Sequence, residues 1–185
     1  MRIISGTLRG KTLETPKGLN TRPTSDKARQ GVFNIIEHAP WSQGLHGKTV
    51  LDIFAGSGAM GLEALSRGAA FAAFVDNDAN ALQTIERNIA NCRIDKANAI
   101  TYSRNATKLG QNQLDPFEIA FLDAPYDSGL NEEVIPILLE NNWLDKSALV
   151  IMEDKKGSFQ KSIQGFEIQR MVSYGINQFR FYAAA

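Results

Sequence analysis

The chain has 185 residues, a length that suits one compact domain able to bury most of the surface of its unfolded chain. Its formal net charge is zero and its hydrophobic fraction is 43%, and no apolar run approaches the roughly 20 residues that a membrane-spanning helix needs. Cys92 is the only cysteine, which excludes an internal disulfide and a cysteine-rich zinc site. Without a secretory signal pattern, these features predict a cytoplasmic protein that does not insert into membranes.

The elements follow a regular order from residue 48 onwards, because apolar runs alternate with helical patterns. The predicted strands cover residues 49–56, 70–78, 99–106, 117–125 and 148–154, and the predicted helices 59–68, 79–90 and 131–143. This alternation is typical of parallel βαβ units. Two further strand-like runs, 166–175 and 177–183, predict a C-terminal antiparallel hairpin. The predicted fold class is therefore α/β, with a Rossmann-like, doubly wound, mostly parallel seven-stranded sheet.

The first 45 residues differ from the rest and are predicted to form a small N-terminal extension. They contain strand-like pieces, turns and a helix from about residue 25 to 38, for which Thr24 or Ser25 could be the N-cap. Residues 46–185 then form the α/β domain. The first 31 residues hold seven basic and two acidic side chains, and this local excess fits either a solvated basic surface or an arm that contacts nucleic-acid phosphates.

Ligands of doubly wound sheets bind beyond the carboxyl ends of the strands, where this sequence places glycines and polar residues. The first strand leads into DIFAGSGAMG, residues 52–61, whose glycines allow either a close ligand approach or tight packing of strand on helix. The spacing also satisfies the G-x-G-x-x-G pattern of NAD-binding proteins. Asp76 ends the second strand, where an acid can bind ribose hydroxyls, whereas Asp78 is expected to cap a helix. Asn105 could pair with an adenine edge or cap a turn.

Several of these motifs carry a family resemblance. DIFAGSG resembles the cofactor motif of class I S-adenosylmethionine-dependent methyltransferases, and DAPY (123–126) is similar to the Asp/Asn-Pro-Pro-Tyr/Phe motif of members that methylate amino or amide nitrogens. Residues 6–36, with ALSRGA, NNWL and SYG further on, resemble the bacterial RsmD family, which methylates N2 of a guanine in small-subunit ribosomal RNA. The resemblance runs nearly end to end. Ala124 departs from it, because the family usually has proline there.

The resemblance implies S-adenosylmethionine as cofactor and 16S ribosomal RNA as partner, either free or within the small subunit or an assembly intermediate, with no metal and no membrane. Within the family it points to guanine 966. The implied cofactor-binding residues are Asp52, Phe54, Ala55, Gly56, Gly58, Asp76, Asn77, Asn105, Ala106 and Asp123. The implied catalytic residues are Asp123, Ala124, Pro125 and Tyr126. The implied RNA-contacting residues are Arg2, Arg9, Lys11, Arg22 and Thr24.

The residues of the DAPY motif suit the methylation of an amine. The exocyclic amine of guanine is a poor nucleophile, and two acceptors, the Asp123 carboxylate and the carbonyl of residue 124, would orient its lone pair towards a methyl donor. Orientation of this kind can supply about 7–11 kcal/mol. Stacking of the base on Tyr126 would contribute about 1–3 kcal/mol. If residue 124 supplies only its carbonyl, Ala124→Pro should leave activity unchanged or modestly higher.

Other functions fit part of the same pattern. The four-residue motif also serves methyltransferases that act on DNA adenine or protein glutamine, and only the N-terminal resemblance separates these from an RNA enzyme. An NAD-dependent oxidoreductase and a non-catalytic RNA-binding relative are the remaining alternatives. Glu153, which follows the fifth predicted strand, is expected to be a surface acid rather than part of the site.

Overall fold

The computed structural model describes residues 1–16, 24–126, 128–158 and 162–185. The strands are β1 (Thr49–Ile53), β2 (Phe71–Asp76), β3 (Ala99–Ser103), β4 (Phe117–Leu122), β5 (Leu144–Lys155), β6 (Phe166–Tyr174) and β7 (Asn177–Ala184). The helices are α1 (Asp26–His38), α2 (Ala59–Ser66), α3 (Ala79–Asn91) and α4 (Leu130–Glu140). In the described parts of the chain, no helix is long and apolar enough to cross a bilayer.

The seven strands form one sheet in the order β3-β2-β1-β4-β5-β7-β6. The first five strands are parallel, and β7 is antiparallel to both β5 and β6. The chain winds outwards from β1 to β3 and then crosses back to β4, so the strand order reverses between β1 and β4. This arrangement confirms the predicted fold class and hairpin, and it places the ligand-binding edge of the sheet at the β1–β4 boundary.

The sheet is covered on both faces because successive residues of its central strands alternate between two hydrophobic clusters. Val50 packs in the cluster that contains apolar residues of α1, α2 and α3. Leu51 and Ile53 pack in the other cluster, with the buried residues of α4. Covering both faces explains why β1, β2 and β4 read as almost continuous apolar runs in the sequence. Asp52 lies on the same face of β1 as Val50 and therefore points towards α2.

The N-terminal segment, residues 1–16, folds back on itself through an antiparallel bridge between Arg2 and Thr12. Its side chains Ile3 and Leu13 are buried in the same hydrophobic cluster as the sheet. The buried carboxylate of Glu63 accepts hydrogen bonds from the backbone N–H groups of residues 4 and 5, at 2.7 and 3.0 Å. Asn88, also buried, exchanges two hydrogen bonds with the backbone of residue 14. The segment is thus an integral part of the α/β core.

Helix α1 begins as predicted, since the Ser25 hydroxyl accepts a hydrogen bond from Ala28 N at 3.2 Å and is the N-cap. Arg29, counted among the basic residues of the arm, is fully buried. Its Nη2 donates to Arg2 O and to Asp26 Oδ1, each at 2.8 Å, and burial lowers its pKa. Arg29 therefore serves as an internal support of the N-terminal segment, which corrects its assignment to a surface excess of charge.

Candidate functional site

Three acidic residues reach the same edge of the sheet from neighbouring strands. Asp52 lies within β1, Asp76 ends β2, and Asp123 directly follows β4. Ile53 pairs with Val75 on one side and Leu122 on the other, so Asp76 and Asp123 are each one residue beyond a partner of Ile53. Two strand spacings separate them, about 10 Å. A ligand at this switch point would therefore lie between the two carboxylates.

The glycines of the turn between β1 and α2 and of the first turn of α2 perform two different tasks. Gly56 and Gly58 have positive φ angles of 55° and 74°, a region that favours glycine. A Cβ at Gly56 would meet no atom nearer than 3.9 Å, so this backbone is open to a ligand. A Cβ at Gly61 would come within 2.4 Å of the Phe74 ring, so this glycine permits close packing of α2 on the sheet. Both explanations offered by the sequence apply, each to a different glycine.

Asp76 holds this glycine turn in place. Its Oδ2 accepts a hydrogen bond from Gly56 N at 2.8 Å, and its Oδ1 accepts one from Asp78 N at 2.9 Å. Each oxygen keeps a second lone pair, so the carboxylate retains capacity for ligand hydroxyls. Asp78 accepts from Asn80 N at 2.8 Å and caps α3, as predicted. Of the two acids of VDND, Asp76 therefore orders the glycine turn and Asp78 caps α3.

A pocket of about 120 Å³ opens beside Asp76. Its lining includes five of the predicted cofactor-binding residues: Phe54, Asp76, Asn77, Asn105 and Ala106. The Asn105 side-chain oxygen accepts from Thr107 N at 2.9 Å, which confirms the capping alternative for that oxygen. Its amide N–H groups have no partner among the described residues and are available to a ligand. Ala55 and Gly58 belong to the adjacent turn, where Gly58 N donates to Ala55 O at 2.7 Å.

Asp52 is almost completely buried beneath the glycine turn. Its Oδ2 accepts a hydrogen bond from Gly61 N at 2.9 Å and so fixes the first turn of α2. Burial raises the pKa of Asp52 to about 7, and the nearby charge of Asp76 acts in the same direction. A buried carboxylate in this position favours a ligand that brings positive charge.

Asp123 lies on the other side of the β1–β4 boundary and differs from the two acids above. It is exposed, and its carboxylate accepts no hydrogen bond from the described residues. Although water reaches part of its surface, the protein around the carboxyl group limits its hydration and raises its pKa above the usual range, and the charges of Glu153, Asp52 and Asp154 raise it further. A carboxylate at the surface of a concave site, with its oxygens unengaged, is suited to accept hydrogen bonds from a substrate.

Ala124 is buried and contributes more than its carbonyl. Its backbone N–H donates to Asn131 Oδ1 at 3.1 Å, and Asn131 Nδ2 donates to the backbone oxygen of Glu153 at 2.9 Å. The premise that residue 124 supplies only a carbonyl is therefore wrong, because proline at this position would have no N–H to donate. Pro125, by contrast, is exposed and lies at the start of a turn closed by Ser128 N.

Glu153 is a buried residue of the site, which corrects the expectation of a surface acid. It lies within β5, with only 5% of its surface exposed. The Thr24 hydroxyl donates to its Oε2 at 2.6 Å, while Asn177 Nδ2 and, at 3.5 Å, the Tyr126 hydroxyl donate to its Oε1. Burial raises the pKa of Glu153, and burial together with the Glu153 charge raises that of Tyr126. Its position at the end of an apolar strand run, like Asp76, was the signal available in the sequence.

The predicted RNA-contacting residues have different environments. Arg2 is exposed and forms an ion pair with Asp26 at 2.9 Å. Arg9 and Lys11 are exposed and form no ion pair within the described part of the chain. The Thr24 hydroxyl is directed to Glu153, and Arg22 lies outside the described residues.

Sequence reasoning missed the polar residues that connect distant elements. Arg180 is fully buried and donates to Asp154, to Glu132 at 3.4 Å and to the Tyr182 hydroxyl, joining β7, β5 and α4 behind the site. Asn131 and Asn177 have the same connecting role around Glu153. No local pattern announces such residues, because their partners are remote in sequence. Within the described ranges, His, Cys, Asp and Glu form no group of three suited to a metal ion.

Comparisons with known proteins identify relatives over nearly the whole chain. The family model described as Conserved hypothetical protein 95 matches residues 1–183. Ribosomal RNA small subunit methyltransferase D of Haemophilus influenzae is 34% identical over 185 residues, covering 98% of this chain and 93% of the relative. The solved structure of yhhF from Escherichia coli has a TM-score of 0.84 at 34% identity and covers 100% and 97% of the two chains. A Salinibacter ruber RNA methyltransferase solved with S-adenosylhomocysteine shares the fold, with a TM-score of 0.66, 12% identity and coverage of 88% and 94%.

Proposed function

Because the chain belongs to the RsmD family of small-subunit ribosomal RNA methyltransferases, we propose that it methylates the exocyclic N2 of a guanine in 16S ribosomal RNA. The family resemblance points to guanine 966 as that nucleotide. The cofactor is S-adenosylmethionine. The observation that supports the proposal is the position of Asp123: its carboxylate is unengaged and lies two strand spacings from Asp76, which lines the pocket.

The residues of the pocket fit this cofactor. S-adenosylmethionine supplies an electrophilic methyl group on a positively charged sulfur. Asp76 would accept hydrogen bonds from its ribose hydroxyls, and Asn105 Nδ2 would donate to its adenine. The open backbone at Gly56 leaves room for close approach, and the buried Asp52 favours a cationic ligand above it. These assignments use polar groups that the folded chain leaves available.

On the substrate side, Asp123 and the carbonyl of Ala124 would accept the two N–H groups of the guanine amine. The nitrogen lone pair then faces the methyl group, so the chain contributes chiefly orientation. The role requires an ionised Asp123. Since its pKa is raised, methyl transfer should increase with pH as this carboxyl loses its proton.

The target base has to leave its stack to reach this edge, at a cost of a few kcal/mol that is smallest for an unpaired nucleotide. Tyr126, half-buried beside Asp123, would stack on the extruded base. Arg9 and Lys11 would contact phosphates next to it, together with Arg2. Arg22 is proposed for the same task on the basis of the family resemblance alone.

The test is incubation of the purified chain with labelled S-adenosylmethionine and small-subunit ribosomal RNA, free or in subunits, followed by nucleoside analysis. The expected product is N2-methylguanosine at one position. Parallel reactions with DNA and protein acceptors test for the activities of the other amino-methyltransferases. Label in N6-methyladenine or methylglutamine, with none in guanosine, would reject the proposal.

A further inference from the structure

Glu153 is a candidate for a role in the reaction that its position alone does not define. It is too buried to contact a nucleobase, yet both of its carboxylate oxygens are engaged by side chains around the site. Thr24 donates to one oxygen, and Tyr126 and Asn177 donate to the other. Three donors on one buried carboxylate nearly fill its hydrogen-bonding capacity.

The donors come from separate parts of the molecule. Thr24 directly precedes the capped N-terminus of α1, Asn177 begins β7, and Tyr126 belongs to the loop after β4. The backbone oxygen of Glu153 also accepts a hydrogen bond from Asn131 Nδ2. The Oδ1 atom of Asn131 in turn accepts one from the N–H of Ala124. The loop after β4 that carries Asp123, Ala124 and Tyr126 is called the substrate loop below. Glu153 contacts it twice, once through the phenol of Tyr126 and once, by way of Asn131, through the backbone of Ala124.

We propose that Glu153 is a positioning residue that sets the orientation of Tyr126, and that Thr24 fixes the carboxylate for this task. The inference rests on the proposed function, in which Tyr126 stacks on the target base. The hydrogen bond from Thr24 is short, at 2.6 Å, whereas that from Tyr126 is long, at 3.5 Å. The short hydrogen bond thus joins Glu153 to the start of α1. The long one joins it to Tyr126, the side chain that has to allow a base to enter.

The network makes a specific prediction about two hydroxyl groups that do not touch each other. Thr24→Val removes the donor to Oε2 at nearly constant shape, and Tyr126→Phe removes the donor to Oε1 while keeping the ring. If Thr24 acts on Tyr126 through Glu153, removing its hydroxyl should matter only while the phenol is present. Effects transmitted through a shared partner are not additive, whereas independent effects multiply in the rate.

The experiment is a double-mutant cycle on the full chain, measuring kcat and KM for RNA at saturating cofactor, with cofactor affinity measured by calorimetry. We expect Thr24→Val to lower kcat about three- to tenfold, and to lower it less than twofold in the Tyr126→Phe background. Cofactor affinity should stay unchanged. Thr24→Ser, which keeps the hydroxyl, should restore the wild-type rate.

The matched control is Thr101→Val, which removes another Thr-to-Glu hydrogen bond, the one that Thr101 of β3 donates to Glu86 Oε1 of α3 at 3.3 Å. It should leave all constants unchanged. The inference is overturned if Thr24→Val matches wild type, lowers kcat by the same factor in both backgrounds, or changes only cofactor affinity. Asp123→Ala in the same assay distinguishes failure of this inference from failure of the proposed function, since full activity of that variant would reject the proposed site itself.

Discussion

The proposed cofactor side and the proposed substrate side of the site are held together by different kinds of contact. On the cofactor side, Asp52 and Asp76 accept hydrogen bonds from backbone N–H groups that lie 9, 20 and 2 residues away. On the substrate side, Glu153 is held by the side chains of Thr24, 129 residues away, and Asn177, 24 residues away. These hydrogen bonds join β1, α2 and the end of β2 on the first side, whereas on the second they join β5 and β7 to the start of α1.

This difference has a functional consequence. A cofactor pocket built from local backbone contacts should tolerate changes elsewhere in the chain. A substrate loop supported by remote side chains should be sensitive to the start of α1 and to β7. Substitutions can therefore separate cofactor binding from methyl transfer, and the predictions below use that separation.

The largest effect is expected for Asp123→Ala. Loss of an acceptor that orients the amine should lower kcat at least about 1,000-fold, which is within the range that orientation supplies. Cofactor affinity should change only a few-fold. The measurement is single-turnover methyl transfer at saturating cofactor, with Asp115→Ala, at the opposite end of β4, as the control. Turnover near that of wild type would show that the two-acceptor arrangement is wrong.

Asp52 predicts a pH dependence of stability on the cofactor side. Its folded-state pKa of about 7 exceeds the ordinary 3.8, so the folded protein binds this proton more tightly than the unfolded chain. The contribution is therefore favourable below about pH 4 and is lost as the pH rises to about 7. Asp52→Asn removes this loss and should gain a few kcal/mol over wild type at pH 8, but not at pH 4. Urea unfolding without cofactor measures the free energy of unfolding of both proteins at each pH. Parallel pH profiles of wild type and Asp52→Asn would contradict the prediction.

The third prediction contrasts Asp76 with Asp78. Asp76→Ala removes the acceptor for Gly56 N and for ligand hydroxyls, so cofactor affinity should fall by roughly 1–3 kcal/mol, or about 5- to 150-fold. Asp78→Ala removes only the cap of α3 and should cost about 1 kcal/mol of stability while cofactor affinity is kept. Calorimetry and urea unfolding of both variants test this. If Asp76→Ala bound the cofactor as tightly as Asp78→Ala does, Asp76 would not belong to the site.

The two halves also differ in how far the sequence predicted them. The acids and glycines of residues 52–61 and 76–78 were assigned correctly to strand ends, a turn and a cap, because their partners are near in sequence and follow known patterns. Glu153 was misjudged, and Asn131 and Asn177 were missed. Their roles arise only when strands far apart in sequence are paired, and alternation of apolar residues carries no information about such polar partners. The burial of Arg29 could not be predicted from the sequence for the same reason.

The exposed basic residues of the N-terminal segment should make RNA affinity depend on salt concentration. Point substitutions are the suitable test, because deletion of residues 1–16 would leave Glu63 and Asn88 without their backbone partners. Substitution of the exposed Arg9 and Lys11 by alanine keeps the fold. RNA affinity should fall about tenfold at moderate salt, and the slope of log affinity against log salt should decrease by about 2. Binding isotherms at several salt concentrations measure this, and an unchanged slope would place the phosphate contacts elsewhere.

The smallest effect is expected for Ala124→Pro, because two contributions oppose each other. Proline removes the N–H that Asn131 Oδ1 accepts, and a buried acceptor left without a donor costs about 1–3 kcal/mol. The restricted backbone of proline lowers the entropy of the unfolded chain and returns about 0.4–1 kcal/mol. The net result should be a loss of about 1 kcal/mol in stability and a rate lowered by less than about tenfold.

Ala124→Gly is the matched variant, since it keeps the N–H and removes only a methyl group. If the hydrogen bond to Asn131 supports the substrate loop, Ala124→Pro should be slower than Ala124→Gly, and both should bind the cofactor as wild type does. A proline variant as active as wild type would show that the hydrogen bond from residue 124 to Asn131 contributes nothing to the rate. The substrate loop would then be held by Tyr126 and Glu153 without the support of Asn131, and the contrast between the two halves of the site would rest on Glu153 alone.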